Sequence, residues 1–418
     1  MLNQTVLENP AAITDAELET ALKTALGFSE QPPLWQKILL VPPDITRSQS
    51  GAGRITAILY RILKGAHIDI LPALGTHAPM TREEQVSFFG PEIPPERYII
   101  HNWRTGVTDV GTVPGDFVEE VSEGLMTQPM QVQLSNPLLD PSYDLILSIG
   151  QVVPHEVVGM ANYTKNLVVG CGGSAFINQS HMLGAFYGME RIMGRDHSPV
   201  RKVFDYAQEH FLDKLPLAYI LTAADAGGIK GLYCGQGRAL FEKALALSTK
   251  LNMTHLDKPI KKCVVYLDPH EFHSTWLGNK AIYRTRLAMA DGGQLIILAP
   301  GVKRFGEDDE NDVLIRKYGY VGRLKVLELV KEQEDLQNNL SVAAHLIHGS
   351  SDDRFSITYC APFLSPQEIE KANFIHANYN EMLQKYNPET LKDGWQIIDN
   401  EEIYYISNPA LGLWGLKT

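Results

Sequence analysis

Three residues with side chains suited to acid–base, covalent or metal chemistry lie within one short stretch of the sequence. His155, Lys165 and His181 fall between positions 147 and 182, with glycines at 159, 170, 172 and 173 among them. The apolar run Leu145–Ile149 predicts a buried strand, so we expect His155 on the loop at its carboxyl end. Ligands of open α/β sheets bind at that edge. Two imidazoles and an amine could therefore meet there on a phosphorylated or metal-bearing ligand.

A glycine-rich turn follows the lysine. The run Leu167–Val169 predicts a second short strand, and the turn Gly170–Ser174 would let backbone amides at the next helix start approach a ligand closely. Plainer interpretations exist, because a histidine near a strand end is more often structural and a glycine turn more often serves backbone geometry. Spacing alone leaves the functional and the structural interpretation equally open.

Two earlier strand–loop–helix patterns place further polar residues in the same type of location. Asp44 and Arg47 follow the apolar strand pattern Lys37–Val41, and His77 follows the pattern Ile68–Leu74. In parallel sheets these positions face ligands. The plainer alternative for Asp44 and Arg47 is an internal ion pair that braces the loop.

The composition indicates a globular protein and argues against nucleic-acid binding. The 418 residues are 44% hydrophobic and 21% charged, with a net charge of −12 and a pI near 5.6. A chain of this length predicts about two to three domains, and a nucleic-acid surface would need a basic face. We expect no membrane association, since no apolar run is long enough to span a bilayer and the first residues lack a signal-peptide pattern. Four cysteines without a CxxC pair favour a cytoplasmic location.

Alternating strand and helix patterns predict an α/β fold, with two α/β domains, mostly parallel sheets and an active-site cleft between the domains. A polar stretch containing Pro259 marks the expected boundary between residues 1–257 and residues 258–418. The last residues are expected to pack back on the first domain. The acidic run Glu307–Asp312 is interpreted as a solvated loop. Neither GxGxxG nor GxxxxGK[ST] occurs, which counts against standard dinucleotide and P-loop sites.

Several of these residues together resemble the motifs of the nickel-pincer-nucleotide lactate racemase family. The resembling segments are Asp44-Ile45-Thr46-Arg47 (D-x-T-R), Gly75-Thr76-His77 (G-T-H), the set Pro154-His155, Gly159, Lys165 and His181, and Lys280-Ala281 ahead of Gly292-Gly293. The resemblance extends over most of the chain, and the joint match is far more specific than any one motif.

The resemblance implies a cofactor and a role for each matching residue. The family's cofactor is a nickel-bearing pyridinium-3-thioamide-5-thiocarboxylic acid mononucleotide, loaded by cofactor-synthesis enzymes. Lys165 would carry it covalently, and His181 would complete the nickel coordination. His77 and His155 would be the acid/base pair. The remaining implied contacts are Arg47 and Lys280 for the anionic groups of the substrate, and Asp44 and Arg47 at the cofactor end. From the glycine-rich turn itself, we expect the phosphate of the cofactor near Gly172, Gly173 and Ser174.

Elementary chemistry is consistent with these roles. The α-hydrogen of a hydroxycarboxylate is a poor acid, whereas removal of hydride with loss of the hydroxyl proton gives a neutral ketone. Imidazole suits the proton transfer because its ordinary pKa of ~6.5 lies near the working pH. Arginine suits a carboxylate through its planar fork of donors, and nickel accepts nitrogen and soft sulfur together.

Two departures from the lactate racemase pattern point to another substrate. Lactate racemases have Ser-Gly-Gly before the lysine, where this chain has Asn162-Tyr163-Thr164, and a Gln where it has Leu277. The amino-acid sequence around His155, Gly188–Arg191 and Arg354-Phe355 resembles that of a sugar-acid epimerase branch of the same family. We therefore expect 2-epimerisation of an aldonate, with D-gluconate and D-mannonate as the leading pair.

Three alternatives stay open. The substrate could be lactate or another short 2-hydroxy acid. Lys165 could instead form a Schiff base in a lyase-like site, which predicts borohydride trapping and no metal requirement. The chain could also be a sugar-acid-binding protein without catalysis. The sequence predicts neither the oligomeric state nor whether cofactor is loaded.

Overall fold

The alternation of apolar strands and amphipathic helices builds two compact units in the computed structural model, which describes residues 2–28, 35–410 and 412–417. The first unit consists of residues 1–180 and 194–252, and the second of residues 181–193 and 253–418. The chain thus changes units after residue 252, where the sequence predicted a change after residue 257. It also makes an excursion into the second unit over residues 181–193, which the sequence did not indicate.

A six-stranded, mostly parallel sheet in the order β1-β10-β9-β6-β2-β3 forms the centre of the first unit, within the described residues. Strand β6 is buried along its whole length and pairs in parallel with both β2 and β9, as expected for a central strand covered on both faces. A two-stranded antiparallel ribbon, β4-β5, and a short pair, β7-β8, lie outside the sheet. The strands are β1 (Thr5–Glu8), β2 (Lys37–Val41), β3 (His67–Ile70), β4 (Val107–Val113), β5 (Met130–Ser135), β6 (Leu145–Gln151), β7 (Pro154–His155), β8 (Gly159–Met160), β9 (Leu217–Asp225) and β10 (Gly228–Gly235).

Helices cover this sheet, and two of them begin with the capping boxes that their sequences contain. Thr14 and Thr81 each accept a hydrogen bond from the backbone N–H three residues later, and Glu17 and Glu84 reciprocate, which satisfies otherwise unpaired amides. Up to residue 252 the helices are α1 (Asp15–Ala25), α2 (Ala52–Ile62), α3 (Arg82–Phe89), α4 (Gly115–Val121), α5 (Thr164–Val168), α6 (Ser174–Tyr187), α7 (Met189–Ile192), α8 (Pro199–Ala207) and α9 (Arg238–Asn252). Short 3₁₀ turns occur at Ile45–Ser50, Pro95–Arg97 and Asn136–Leu139, and a π turn at Gln208–Leu212.

Two local predictions from the sequence were wrong. Leu167–Val169 is not a strand, because it belongs to helix α5 and to the turn closed by the hydrogen bond from Val169 N–H to Lys165 O. A three-residue apolar run is too short to distinguish the two structures. The acidic run Glu307–Asp312 is not a loop throughout, because Asp308 caps a helix that starts at Asp309. Acidic residues in a first helical turn are favoured by the positive end of the helix dipole.

The second unit is organised around another six-stranded sheet, whose described strands have the order β15-β14-β13-β12-β17-β16. All neighbours are parallel except β16 and β17. Strand β18 pairs with β11 inside this unit. The packing of the last residues on the first domain stays a prediction. The strands are β11 (Met253–Leu256), β12 (Ile260–Tyr266), β13 (Met289–Leu298), β14 (Phe355–Cys360), β15 (Ile375–His376), β16 (Gly394–Ile398), β17 (Glu401–Ile406) and β18 (Leu413–Leu416).

The excursion over residues 181–193 is held in the second unit by packing and by a buried arginine. Met182 lies in the unit's hydrophobic core, and Arg286, only 1% exposed, donates to Glu190 at 2.7 Å and to Asp352 at 3.0 Å. The C-terminal half of α6, including His181, therefore belongs to this unit. The remaining helices are α10 (Thr275–Gly278), α11 (Lys280–Thr285), α12 (Asp309–Tyr318), α13 (Arg323–Glu332), α14 (Glu334–Asn338), α15 (Leu340–His348), α16 (Pro366–Lys371) and α17 (Tyr379–Lys385).

All four cysteines are buried and free. None of the helices in the described part of the chain has both the length and the apolar character needed to cross a bilayer.

Candidate active site

Adjacent parallel strands deliver Asp44 and His77 to one edge of the first sheet. Asp44 follows β2 and is 4% exposed, and its Oδ1 accepts from the backbone N–H of Thr46 at 3.1 Å. Its Oδ2 accepts from Nδ1 of His77, which follows β3, at 2.6 Å. Because a carboxylate only accepts hydrogen bonds, the proton of the neutral imidazole lies on Nδ1. Nε2 of His77 therefore carries the lone pair and can act as a base.

The Asp44 carboxyl is held in its ionised form. Burial alone would raise its pKa, but the hydrogen bond and charge of His77, the Thr46 hydroxyl and the Arg47 cation outweigh burial and lower the pKa below its ordinary value. An ionised Asp44 fixes both the orientation and the tautomer of His77. The side chain that hydrogen-bonds to Asp44 is thus His77. It is not Arg47, which the alternative of an internal ion pair bracing the loop would require.

His155 has the opposite tautomer. It lies on the short β7-β8 ribbon that follows β6, and it is largely buried. The backbone N–H of Val157 donates to its Nδ1 at 3.1 Å, so that nitrogen carries no proton. The Glu156 carboxylate, 3.7 Å from the same nitrogen, is too distant for a hydrogen bond. The ring proton of neutral His155 therefore lies on Nε2, which can donate it.

Lys165 follows a backbone turn with two non-glycine residues at positive φ. The φ angles of Asn162 and Tyr163 are 68° and 59°, a conformation that costs roughly 1–3 kcal/mol per residue. Local contacts offset this strain, since the Tyr163 ring packs against Tyr219 and Phe241 with centroid distances of 4.4 and 5.3 Å. The turn places Lys165 in the first helical turn of α5.

The contacts of Tyr163 and Thr164 differ from the substrate-facing role that the sequence suggested. Tyr163 is buried in the aromatic cluster, and the Thr164 hydroxyl donates to Oε1 of Gln208 at 3.2 Å. Both side chains are therefore committed to internal packing. Asn162 retains an amide donor, Nδ2, which lies beside Gly150.

The amine of Lys165 is made less basic by its surroundings. Burial and the nearby Arg47 cation, with a smaller effect of Arg201, lower the pKa of Lys165 to about 8, although the Glu156 carboxylate opposes the shift. A substantial fraction of this amine is neutral, and hence nucleophilic, near physiological pH. The electrostatic coupling also indicates that Arg47 and Glu156 lie close to Lys165.

The glycine-rich turn after Lys165 has a packing explanation. An added Cβ would lie 1.9 Å from Val168 O at Gly172 and 2.1 Å from the Gln133 side chain at Gly173. The N–H of Gly75 donates to Gly170 O at 2.8 Å, which joins this turn to the His77 loop. A phosphate contact through Gly172, Gly173 and Ser174 stays a prediction.

His101 is a site-supporting residue that the sequence reading missed. Its Nε2 donates to Gly172 O at 3.1 Å, and burial lowers its pKa, which keeps the ring neutral. It lies in a segment without any recognisable motif, so only a long-range contact reveals it.

Two of the expected site residues, His181 and Lys280, belong to the second unit. His181 lies on α6, and Lys280 begins α11 with its Nζ 3.9 Å from Glu271 and 5.5 Å from the Phe272 ring centre. Within the described ranges, no group of three or more His, Cys, Asp or Glu side chains could hold a metal ion. A metal bound through one histidine would need its other ligands from a bound group.

Comparison with known proteins gives one family match and several solved structures of similar fold, including a Thermotoga maritima protein and a lactate racemase apoprotein. Residues 4–192 match the family model of the lactate racemase N-terminal domain. A structural-genomics crystal structure of a Thermotoga maritima protein is 24% identical, with a TM-score of 0.81 over 98% of this chain and 100% of that chain. The lactate racemase apoprotein from Thermoanaerobacterium thermosaccharolyticum is 14% identical, with a TM-score of 0.70 over 99% of this chain and 95% of that one. The search of curated proteins gave no match.

The low basicity of Lys165 predicts a distinct titration in the cofactor-free protein. Trace acetylation by acetic anhydride between pH 6 and 11, followed by peptide mass spectrometry, should give a midpoint at about 8 for Lys165, with exposed Lys64 as internal reference. Arg47→Met should raise this midpoint, because one cation that disfavours the ammonium form is removed. A wild-type midpoint near the ordinary lysine value of ~10.4, or no response to Arg47→Met, would contradict this electrostatic picture.

Proposed function

We propose, on the premise that residues 4–192 belong to the lactate racemase N-terminal domain family, that this protein is a racemase or epimerase of 2-hydroxy acids. We propose further that it uses a nickel-pincer nucleotide attached to Lys165. The observation that carries the proposal is the partly buried Lys165, with its pKa lowered to about 8. The next residue, Asn166, donates to Val41 O at the end of β2, the strand that the Asp44 of the Asp44–His77 pair follows.

The donor set fits such a cofactor. A partly neutral lysine amine can form a covalent bond, and the Arg47 cation nearby suits an anionic nucleotide or carboxylate. His181 would supply one imidazole nitrogen to the nickel, a metal that accepts nitrogen and soft sulfur ligands together. When bound, the group supplies the acceptor for the substrate hydride.

His77 serves as the base for one configuration of the substrate. Its Nε2 lone pair takes the proton of the C2 hydroxyl, while the Nδ1–H bond to Asp44 is retained. Asp44 stays ionised and stabilises the imidazolium that forms, as a carboxylate does beside a catalytic histidine.

His155 completes the reaction from the other side. Its Nε2 carries the ring proton and donates it to the oxygen of the 2-oxo intermediate when the product of opposite configuration forms. Arg47 would hold the carboxylate of the substrate through its planar fork of donors, and a contact from Lys280 stays a prediction.

The substrate that we propose is a five- or six-carbon aldonate, with exchange between D-gluconate and D-mannonate as the leading reaction. The support is the departure from the lactate racemase pattern at Leu277, which packs against the apolar core of its unit, and at Asn162, whose amide donor could bind a distal hydroxyl. Sites built to bond hydroxyls strongly reject analogues that lack them.

A Schiff-base lyase is the second candidate, because a lysine of low pKa also suits attack on a carbonyl. Borohydride with a carbonyl substrate would trap that enzyme irreversibly without any metal. A protein that binds sugar acids without turnover would instead show ligand binding in the loaded state and no change at C2.

Removal of the His77 base should abolish most activity without loss of the cofactor. His77→Asn keeps an N–H donor for Asp44 but lacks the Nε2 base, and turnover should fall by roughly 10²–10⁴-fold, the range for one general acid/base. The nickel content should stay unchanged. His67→Asn, at an exposed histidine at the other end of β3, is the matched control and should stay near wild-type activity. Wild-type turnover in His77→Asn with nickel bound would refute the assignment.

Isotope retention tests both the substrate and the hydride route. The loaded enzyme should convert C2-deuterated D-gluconate with deuterium retained at C2, because the abstracted hydride returns to the same carbon. Lactate should turn over more slowly. Faster turnover of lactate would overturn the aldonate proposal, and complete washout of deuterium into solvent would overturn hydride transfer. NMR of product and solvent gives both readouts.

A further inference from the structure

Helix α8 holds the backbone that leads into Lys165. Its N-cap residue, Ser198, donates to Val158 O at 2.8 Å. One turn later, Nη2 of Arg201 donates to Met160 O at 2.7 Å and to Asn162 O at 3.2 Å. Three alternate carbonyls, at positions 158, 160 and 162, are therefore held from one helix.

The π turn that follows α8 adds a contact on the other side of the strained residues. Oε1 of Gln208 accepts from the Thr164 hydroxyl at 3.2 Å and from the Tyr219 hydroxyl. Nε2 of Gln208 donates to Asp213 at 2.9 Å, which fixes the orientation of the amide. The segment Asn162–Thr164, with its two positive φ angles, is thus held at both ends by α8 and the π turn.

The burial of Arg201 costs desolvation free energy, because its guanidinium is charged. Its side chain is 0% exposed and lies over the Phe241 ring at 4.6 Å, and burial lowers its pKa to about 10. Apolar residues of similar volume often replace buried charged groups without loss of stability. A guanidinium is favoured here because one of its terminal nitrogens, Nη2, carries two N–H donors and reaches both carbonyls.

We propose that Arg201 is a positioning residue for Lys165, and that it acts by holding the Met160 and Asn162 carbonyls so that the lysine side chain stays in its buried position. The inference rests on the proposed function, in which Lys165 attaches the cofactor. The charged groups that act on the Lys165 amine are Arg47 from the loop after β2, Glu156 from the β7-β8 ribbon and Arg201 from α8.

The test is the acetylation midpoint of Lys165 in cofactor-free protein. Arg201→Met should raise the midpoint by at least about one pH unit toward the ordinary lysine value, because the turn loosens, the amine gains solvent and a nearby cation is lost. Arg201→Lys keeps the charge and a nitrogen with several N–H donors, but on a shorter side chain, so it should give an intermediate midpoint. Arg238→Met is the matched control, since Arg238 forms ion pairs with Asp196 and Asp205 rather than hydrogen bonds with the segment Asn162–Thr164. In this variant the acetylation midpoint of Lys165 should stay at about 8.

An unchanged midpoint in Arg201→Met, together with a cooperative thermal transition, would overturn the proposal, because a purely structural arginine would not alter Lys165. If Arg201→Met does not fold, Arg201→Lys and Thr164→Val decide the matter. Thr164→Val removes the bond to Gln208 and should shift the midpoint upward by a smaller amount. Unchanged midpoints in both would count equally against the proposal.

The proposed function can fail separately from this inference. The midpoint is measured without substrate or cofactor, so an upward shift in Arg201→Met supports the positioning role whatever the loaded protein catalyses. Absence of racemase or epimerase activity in loaded wild-type protein would instead refute the proposed function.

Discussion

A partly buried lysine amine, whose ammonium form is disfavoured by two arginines, is the constraint on which this part of the first unit depends. Burial, Arg47 and Arg201 all disfavour the ammonium form of Lys165, and Glu156 opposes them only in part. A group in this environment either gives up its proton or moves into solvent. The chain keeps it in place through the turn at Asn162 and Tyr163, whose strain is balanced by an aromatic cluster and by contacts from α8. Structural elements that are far apart in sequence therefore hold the backbone that positions the Lys165 amine.

The hydrogen-bond partners of His77 and His155 give the two neutral rings opposite tautomers. A carboxylate accepts from His77 Nδ1, whereas a backbone amide donates to His155 Nδ1. In the neutral rings, Nε2 of His77 is consequently a hydrogen-bond acceptor and Nε2 of His155 a donor. Such an arrangement suits a reaction in which a proton leaves on one side and arrives on the other, and it follows from the order of β6, β2 and β3, which places their carboxyl-end loops side by side.

The sequence predicted the features that depend on local pattern. Strand β2 and the α/β class are confirmed, since both follow from the local periodicity of apolar residues. Features set by long-range contacts could not be predicted. The supporting contacts of His101, Arg201 and Gln208 depend on carbonyls and hydroxyls distant in sequence. The excursion over residues 181–193 depends on Arg286, about a hundred residues away. The exchange of Ser-Gly-Gly for Asn162-Tyr163-Thr164 suggested substrate donors, but packing takes up two of the three side chains.

The mass of the peptide that contains Lys165 tests the central claim most directly. The protein should be produced with and without the cofactor-synthesis enzymes, and nickel should be measured on the same samples. Protein from the first preparation should carry an added mass on Lys165 and about one nickel per chain, as a single nitrogen–sulfur site requires, and protein from the second should carry neither. An unmodified Lys165 in nickel-free protein with full activity would contradict the account.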